Sequence, residues 1–433
     1  SPSSVQITRV LVALVVVLIL VVALLAFYVF DLRSEIDSLQ VTVGKQAEGT
    51  GPAAPALEED LQSGLEDLRT CFNKALENTF EDFYRYVFGG ETPPGPDKIV
   101  ETCGSLATTA RVELYKGGLN FPVDMAWVPE TDTIFFTEKA TGNVRVLHGQ
   151  RLVEPPCASL DVNADGERGT LGIAVDPGFQ DNGFLYVYYT NADPLQNRIT
   201  RFTVKNDRCT APEHIVTDIP ATDSTRHNGG QIEIVGDKMF VSVGDGYDDP
   251  STAQDQKGTL GKILRYNLDG SIPEDNPFGS SAPAWAIGLR NPFGLAHNPG
   301  TGRLYASENG PNCDDELNLI DKGANYGWGP GYECGDKGVG PQPRVPLVRW
   351  TPPIVPTDLW YYTGKIESLA GDLYMGDFGS GRLHRFVLND SGDEVTKDEI
   401  VYDSPSQIVD VSEGPEGLLY FLTPTGIFRV IGR

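Results

Sequence analysis

Residues 183–205 read GFLYVYYTNADPLQNRITRFTVK. An apolar and aromatic run, Leu185-Tyr186-Val187, enters a turn rich in Asn and Asp. A second run then carries an apolar–Arg pattern, Ile199-Thr200-Arg201. The same unit recurs along the chain. Its first strand returns as Ile134-Phe135-Phe136, Met239-Phe240-Val241, Leu304-Tyr305-Ala306, Leu373-Tyr374-Met375 and Leu419-Tyr420-Phe421. Its second returns as Val144-Arg145-Val146, Ile263-Leu264-Arg265, Leu383-His384-Arg385 and Phe428-Arg429-Val430. The fourth repeat carries Glu316-Leu317-Asn318-Leu319-Ile320 at that place. Copies roughly 45–70 residues apart fit the period of propeller blades. The repeats predict an all-β six-bladed β-propeller over residues 99–433. Small antiparallel sheets would stack face to face, and ring closure would leave few open edges. Loops at one mouth of the ring would converge on its axis. The third and fourth repeats carry the longest inserts, where function tends to sit.

The region before the repeats has a different pattern. Val10 to Phe30 contains no charged side chain. About 20 such residues in a helix cross a bilayer core. No small-residue cleavage site is evident, so a retained signal-anchor is expected rather than a cleaved leader. Arg9 precedes the span and Asp31 and Glu35 follow it. This favours a cytoplasmic N-terminus (residues 1–9), a single transmembrane helix (10–30) and a propeller in the periplasm or at the cell surface. Packing of the helix among sister subunits, as in a filament, is the rival reading. Leu32, Ile36, Leu39 and Val43 continue a heptad seam, predicting a helical stalk over 31–47 with possible coiled-coil pairing. EGTGPAAPA (48–56) is a linker. Residues 57–90 follow with apolar residues at helical spacing, from Leu57 to Val87. A second Pro/Gly linker (91–98) leads into the propeller. The apolar stripe of 57–90 must pack on the propeller, a sister subunit or a membrane-complex partner.

The chain of 433 residues has a formal net charge of −26. Nucleic acid is excluded as a partner, because gripping phosphates needs a basic face. Its six cysteines form no Cys-x-x-Cys pair. Outside the cytoplasm an even number suggests disulfides. Cys313 and Cys334 share one long loop and are the expected pair. Asn389-Asp390-Ser391 is a glycosylation sequon.

Four loop segments carry candidate chemistry: DVNADGERGTLGIAVDP (161–177), STRHNGGQIEI (224–234) with VSVGDGYDD (241–249), WAIGLRNPFGLA (285–296) and SENGPNCDDELNLIDKGANYGW (307–328). His227, flanked by a glycine-rich turn, is a candidate for proton transfer; an ordinary turn histidine is the alternative. Arg290-Asn291-Pro292 offers a cation and an amide to an anion, or a structural ion pair. Asp314, Asp315 and Glu316 beside Gly310-Pro311 suit Ca²⁺, or form a solvated charge run. Asp161-x-Asn163-x-Asp165-Gly166 resembles the start of an EF-hand loop, but its twelfth position is Gly172 rather than Glu.

The strings GERGTLGIAVDP, RHNGGQI with VSVGDG, GKILRYNLDGSIP, GLRNPFGLA and ENGPNCDDELNLIDKGANYGW together resemble the glucose/sorbosone dehydrogenase family of quinoproteins. The resemblance spans about residues 112–433 and leaves out the N-terminal helices. It implies a six-bladed propeller holding pyrroloquinoline quinone (PQQ) over the axis. A Ca²⁺ would be held by the main-chain carbonyls of Gly310 and Pro311. His227 would be the general base toward a sugar's anomeric hydroxyl. Arg290 and Asn291 would stabilise the reduced quinone. Asp245 and Trp350 would line the cofactor pocket, with Glu167, an added negative charge, where the family has glutamine. Glu316, with the main chain near Tyr326, would hold a second, structural calcium. The family's lysine and two arginines for the cofactor carboxylates are replaced by Gly379, Gln407 and Val409 in GDFGSGRL (376–383) and SQIVDV (406–411). Arg382 is the nearby candidate substitute. The expected function is that of a membrane-anchored PQQ-dependent aldose dehydrogenase. The alternative is a non-catalytic calcium-binding propeller serving as a binding or assembly subunit.

Overall fold

The computed structural model describes residues 110–335 and 338–432. The predicted transmembrane helix, stalk, linkers and amphipathic helix, together with Cys71 and Cys103, lie outside the described residues. Among the described residues, no helix is long and apolar enough to cross a membrane.

Six antiparallel sheets form, one per repeat. The first contains Pro122–Trp127, Thr133–Glu138 and Asn143–His148, with two short outer strands. The second runs through Thr170–Val175, Phe184–Asn191, Gln196–Lys205 and Arg208–Pro220. The third through fifth sheets follow the same order of four strands. The sixth takes three strands from Asp410 to Gly432, and its fourth is Arg111–Gly117 from the start of the propeller. That strand pairs with Gly426–Gly432, with Arg111 opposite Gly432 and Gly117 opposite Gly426. The ring therefore closes by hydrogen bonds between distant ends of the chain.

The quoted apolar runs are the second strands of the sheets. They are buried on both faces, because each blade is sandwiched between neighbours. Leu185, Tyr186, Val187 and Tyr188 are each 0% exposed. This is why these strands read as continuous rather than alternating hydrophobic runs. The blade Arg residues cover the outer strands. Arg201 pairs with Glu213, and Arg265 pairs with Asp275.

The first strand of each blade lies nearest the axis and packs on its neighbour's first strand. Register shifts interrupt these strands at Pro122/Met125, Thr170/Ile173, Pro292/Leu295 and Pro356/Leu359. Such bulges free backbone groups and re-aim side chains. Hydrogen bonds across the blade boundaries satisfy several of the freed groups. Asp410 Oδ2 accepts the Met125 N–H at 3.0 Å, and Asp124 Oδ2 accepts the Ile173 N–H at 2.6 Å. Thr357 donates to the Ile408 carbonyl.

Two disulfides are described. Cys313–Cys334 forms as expected within the long loop. Cys157–Cys209 links the first blade to the outer strand of the second, over a separation of 52 residues. Closing a loop of that length restricts the unfolded chain, which is worth about 2–4 kcal/mol. The double variant Cys157→Ser/Cys209→Ser is expected to lose about 2–4 kcal/mol of unfolding free energy, with a lower denaturant midpoint and a steeper slope, because the unfolded chain becomes less compact. An unchanged midpoint would mean that this disulfide does not stabilise the fold.

Candidate active site at the mouth of the ring

All six blades contribute to one cavity of about 550 Å³ on the axis. Glu167, His227, Arg290, Asn291, Gly310 and Pro311 line it together. They come from loops spread over more than 140 positions of sequence, so only ring closure brings them to one place.

His227 sits at φ +57°, in the left-handed region, and is 4% exposed. Non-glycine residues at such angles persist only where their surroundings hold them. The main-chain N–H of His227 donates to Glu167 Oε2 at 2.6 Å. Its Nδ1 lies 2.6 Å from Asp245 Oδ1. A Cβ on Gly244 would come within 2.5 Å of the His227 carbonyl oxygen, so that neighbour must be glycine. Asp245 also accepts the Tyr247 N–H at 2.8 Å and the Trp328 indole N–H at 2.7 Å. Donors surround this carboxylate, so it acts as an acceptor for the His227 Nδ1–H. The lone pair is then on Nε2, the ring nitrogen left for the cavity.

Arg290 is half-buried. Its Nη1 donates to the carbonyls of Asn309 (2.8 Å) and Gly310 (2.6 Å), and its guanidinium lies 5.4 Å from the Trp328 ring centroid. Burial pushes its pKa down, against the pull of Asp245 and Glu308. Lys139 and Arg226 also line the cavity. Tyr247 stands edge-on to His227, with ring centroids 5.1 Å apart. Trp328, Tyr247, Lys139 and Arg226 were not singled out in the sequence, although all but Lys139 lie within the quoted loops. Their roles depend on contacts across blades.

Several expected positions lie elsewhere. Asp245 stands behind His227 rather than on the cavity wall. Trp350 belongs to the outermost strand of the fourth blade, Val348–Trp350. It packs on Phe386 and His384 of the fifth blade, with centroids 5.8 and 6.1 Å away, and does not line the cavity. Arg382 pairs with Asp403 on the adjacent strand at 3.2 Å, as a blade arginine. It therefore does not stand in for the missing cations. Gly379 offers no room for one: a Cβ there would lie 2.5 Å from the Ile354 carbonyl oxygen. Val409 lines the cavity, whereas Gln407 is exposed and does not.

The acidic loop divides by role. Asp315 accepts the N–H groups of Gly310 (2.8 Å), Ile354 (2.8 Å) and Val355 (2.7 Å). Asp314 accepts from Tyr332 and Thr351. Both are loop staples, not a solvated run. Glu316 turns away from the cavity. It meets Arg349 at 3.0 Å, and its Oε2 accepts from Asn318 Nδ2 at 3.2 Å, while Glu308 accepts from the same amide at 3.0 Å. Burial, followed by their mutual repulsion, pushes Glu308 well up; burial raises Glu316 as well. Asn318 Oδ1 is buried without a partner beside them. At Tyr326 the main-chain N–H bonds the Ile287 carbonyl at 2.9 Å, and the hydroxyl bonds the Leu319 carbonyl. In the EF-hand-like loop, Asn163 Oδ1 accepts the Asp165 N–H and Arg168 approaches it, so a cation already fills that side.

The inner strands around the axis carry Asp124, Asp358 and Asp410, each at most 3% exposed, with Asp358 reaching the cavity wall. Burial and mutual repulsion raise Asp124 and Asp358 well above the carboxylate range, and burial pushes Asp410 up to about 7. Raised carboxyl pKa values mean that the folded state binds more protons than the unfolded one above about pH 4, so stability is lost as pH rises toward neutrality. Asp358→Asn removes one of these charges at equal size. Calorimetry at about pH 5 and about pH 8 is expected to show a smaller drop in Tm for the variant than for the parent. An equal drop would mean that the trio is not the source.

A family model described as Glucose / Sorbosone dehydrogenase matches residues 119–429. The aldose sugar dehydrogenase YliI of Escherichia coli is 29% identical over 338 residues, covering 73% of this chain and 90% of that protein. A crystal structure of the soluble E. coli aldose sugar dehydrogenase in its apo form superposes with a TM-score of 0.68 at 28% identity, covering 75% of this chain and 100% of that one. The PQQ-bound aldose sugar dehydrogenase of Streptomyces coelicolor superposes with a TM-score of 0.65 at 26% identity, covering 75% of this chain and 98% of the other. With the blade count, the closed ring and the clustered loops, the match over most of the propeller means that the chain belongs to the glucose/sorbosone dehydrogenase family.

Proposed function

We propose that this protein is a PQQ- and calcium-dependent aldose dehydrogenase that oxidises the anomeric hydroxyl of a sugar. The observation that carries the reading is His227, held by buried Asp245 at 2.6 Å with its other ring nitrogen left for the cavity. The donor set fits the group at its reacting end. Arg290 and Asn291 would hold the quinone oxygens; the Pro311 carbonyl, and the Gly310 carbonyl through the lone pair not taken by Arg290 Nη1, are hard oxygen donors of the kind calcium takes. Glu308, Glu316 and the orphaned Asn318 Oδ1 fit a second, structural calcium in the same terms. Bound PQQ with its calcium supplies an acceptor for hydride, polarised by the metal.

The protein's own residues do the rest. His227 Nε2 takes the proton of the anomeric hydroxyl as the hydride leaves the same carbon, and the sugar becomes a lactone. Asp245 keeps the Nδ1–H in place and stabilises the imidazolium that forms. The Trp328 and Tyr247 N–H groups fix Asp245 in turn. Arg290 places positive charge where negative charge develops.

We further propose that residues 10–30 tether the propeller to a membrane with the sheets outside the cytoplasm. The two disulfides of the propeller support an oxidising compartment. Pairing through 31–47 or 57–90 would make the protein an oligomer. A second reading, a propeller without cofactor that serves in assembly, is favoured by the absence of any space for a side chain at Gly379. The test is to supply the purified chain with PQQ, Ca²⁺, a panel of aldoses and a redox dye. Dye reduction that requires all three additions is expected. No reduction, together with no saturable PQQ binding, would overturn the enzyme reading in favour of the second.

A further inference from the structure

The cavity is not charged evenly. On the side of the first three blades stand Lys139 and Arg226, with Glu167, whose Oε2 accepts the His227 N–H at 2.6 Å, and Arg290 follows between the third and fourth blades. On the side of the fifth and sixth stand Val355, Phe378 and Val409. Arg226 is exposed, with its guanidinium 5.1 Å from the centroid of the Tyr247 ring. It has no carboxylate partner among the described residues. The same ring abuts His227, so Arg226 is parked one aromatic ring away from the proposed base. Lys139 Nζ has only the Ala164 carbonyl at 3.3 Å. Burial pushes its pKa down, with Glu167 and Asp165 opposing, so a further anion beside it would relieve the cost of its charge. The opposite wall is closed by backbone pairing. Phe378 N–H bonds the Val355 carbonyl at 2.8 Å, and Gly379 N–H bonds the Ile354 carbonyl at 3.1 Å. Val355 is 42% exposed and Phe378 36% exposed at this rim. An anionic group placed on that side would lose its water and gain no cation.

We propose that Lys139 and Arg226 form an anion-binding wall that takes the carboxylates of a planar aromatic ligand, whose uncharged edge rests on Val355, Phe378 and Val409. This rests on the reading of the cavity as a ligand site and deepens it. The wall fixes which edge of the ligand faces which blades, and it moves the carboxylate-binding charge from the fifth and sixth blades to the first three.

The test uses the full chain with Ca²⁺ and follows quenching of its tryptophan fluorescence by two probes, PQQ and naphthalene-2,3-dicarboxylate. Loss of a charged hydrogen bond is worth about tenfold or more in affinity. Arg226→Ala and Lys139→Ala are each expected to weaken PQQ binding by about that factor, and Arg226→Lys by less. Arg382→Ala, which lies outside the cavity, is expected to leave binding unchanged. Equal PQQ affinity in the parent and in the Lys139→Ala/Arg226→Ala double variant would overturn the wall and leave the dehydrogenase reading standing. Arg226-dependent binding of the naphthalene probe without PQQ binding would keep the wall and remove the redox reading. Binding of neither probe would overturn the proposal.

Discussion

Replacing His227 by alanine is expected to lower dye reduction by the PQQ- and Ca²⁺-loaded protein by roughly 10²–10⁴-fold, the usual worth of a positioned general base. The reasoning is geometric. His227 lines the cavity, its Nδ1 is committed to Asp245, and the loops around it hold a left-handed backbone angle that few side chains tolerate. Because alanine also disfavours that angle, a second variant is needed. His227→Asn keeps a residue that tolerates it and still removes the base. Both variants are expected to retain PQQ binding, seen by fluorescence, while kcat collapses. Full activity in His227→Asn would sink the assignment. A loss of PQQ binding in His227→Ala alone would identify a local backbone effect instead.

The second large effect is expected at Asp245. Asp245→Asn conserves size and can keep its oxygen on the Trp328 indole N–H, with the amide nitrogen in the place of Oδ1, the atom that meets both His227 Nδ1 and the Tyr247 N–H. Its amide can instead donate to His227, which would drive the imidazole proton from Nδ1 to Nε2 and remove the lone pair from the cavity. The loss expected for such a tautomer change is on the order of 10²–10⁴ in kcat, by analogy with the buried aspartate of a serine-protease triad. The discriminating measurement is the dependence of rate on pH. If Asp245 positions and stabilises His227, activity lost near neutral pH is partly recovered at high pH, where the misplaced proton can leave. A merely structural role predicts a uniform loss at every pH and a lowered Tm. Trp328→Phe deletes the indole donor, keeps a smaller aromatic ring beside Arg290, and is expected to give a weaker version of the same profile.

Much of the site is readable in sequence because it is carried on short, glycine-punctuated loops. RHNGG marks the His227 turn, GLRNP marks Arg290 and Asn291, and NGP marks the Gly310 and Pro311 carbonyls. What such strings cannot show is direction. The family pattern predicts Trp350 and Arg382 at the cofactor, yet the pleat sends one onto the fifth blade and the other to Asp403. Asp314 and Asp315 look like metal ligands in sequence, but their oxygens are already filled by backbone and hydroxyl donors.

The sequence by itself determined the number of blades and the identity of their middle strands. Burial on both faces writes an unbroken apolar run into a few adjacent residues, and that signal is local. It also determined which loops are unusual in length and chemistry. Only the tertiary structure decided that Arg111–Gly117 completes the last sheet, that Asp245 and Trp328 stand in line behind His227, and that Lys139 and Arg226 meet on one side of the cavity. These are pairings between residues from 18 to more than 300 positions apart. Closure of the ring selects them, and no local periodicity encodes them.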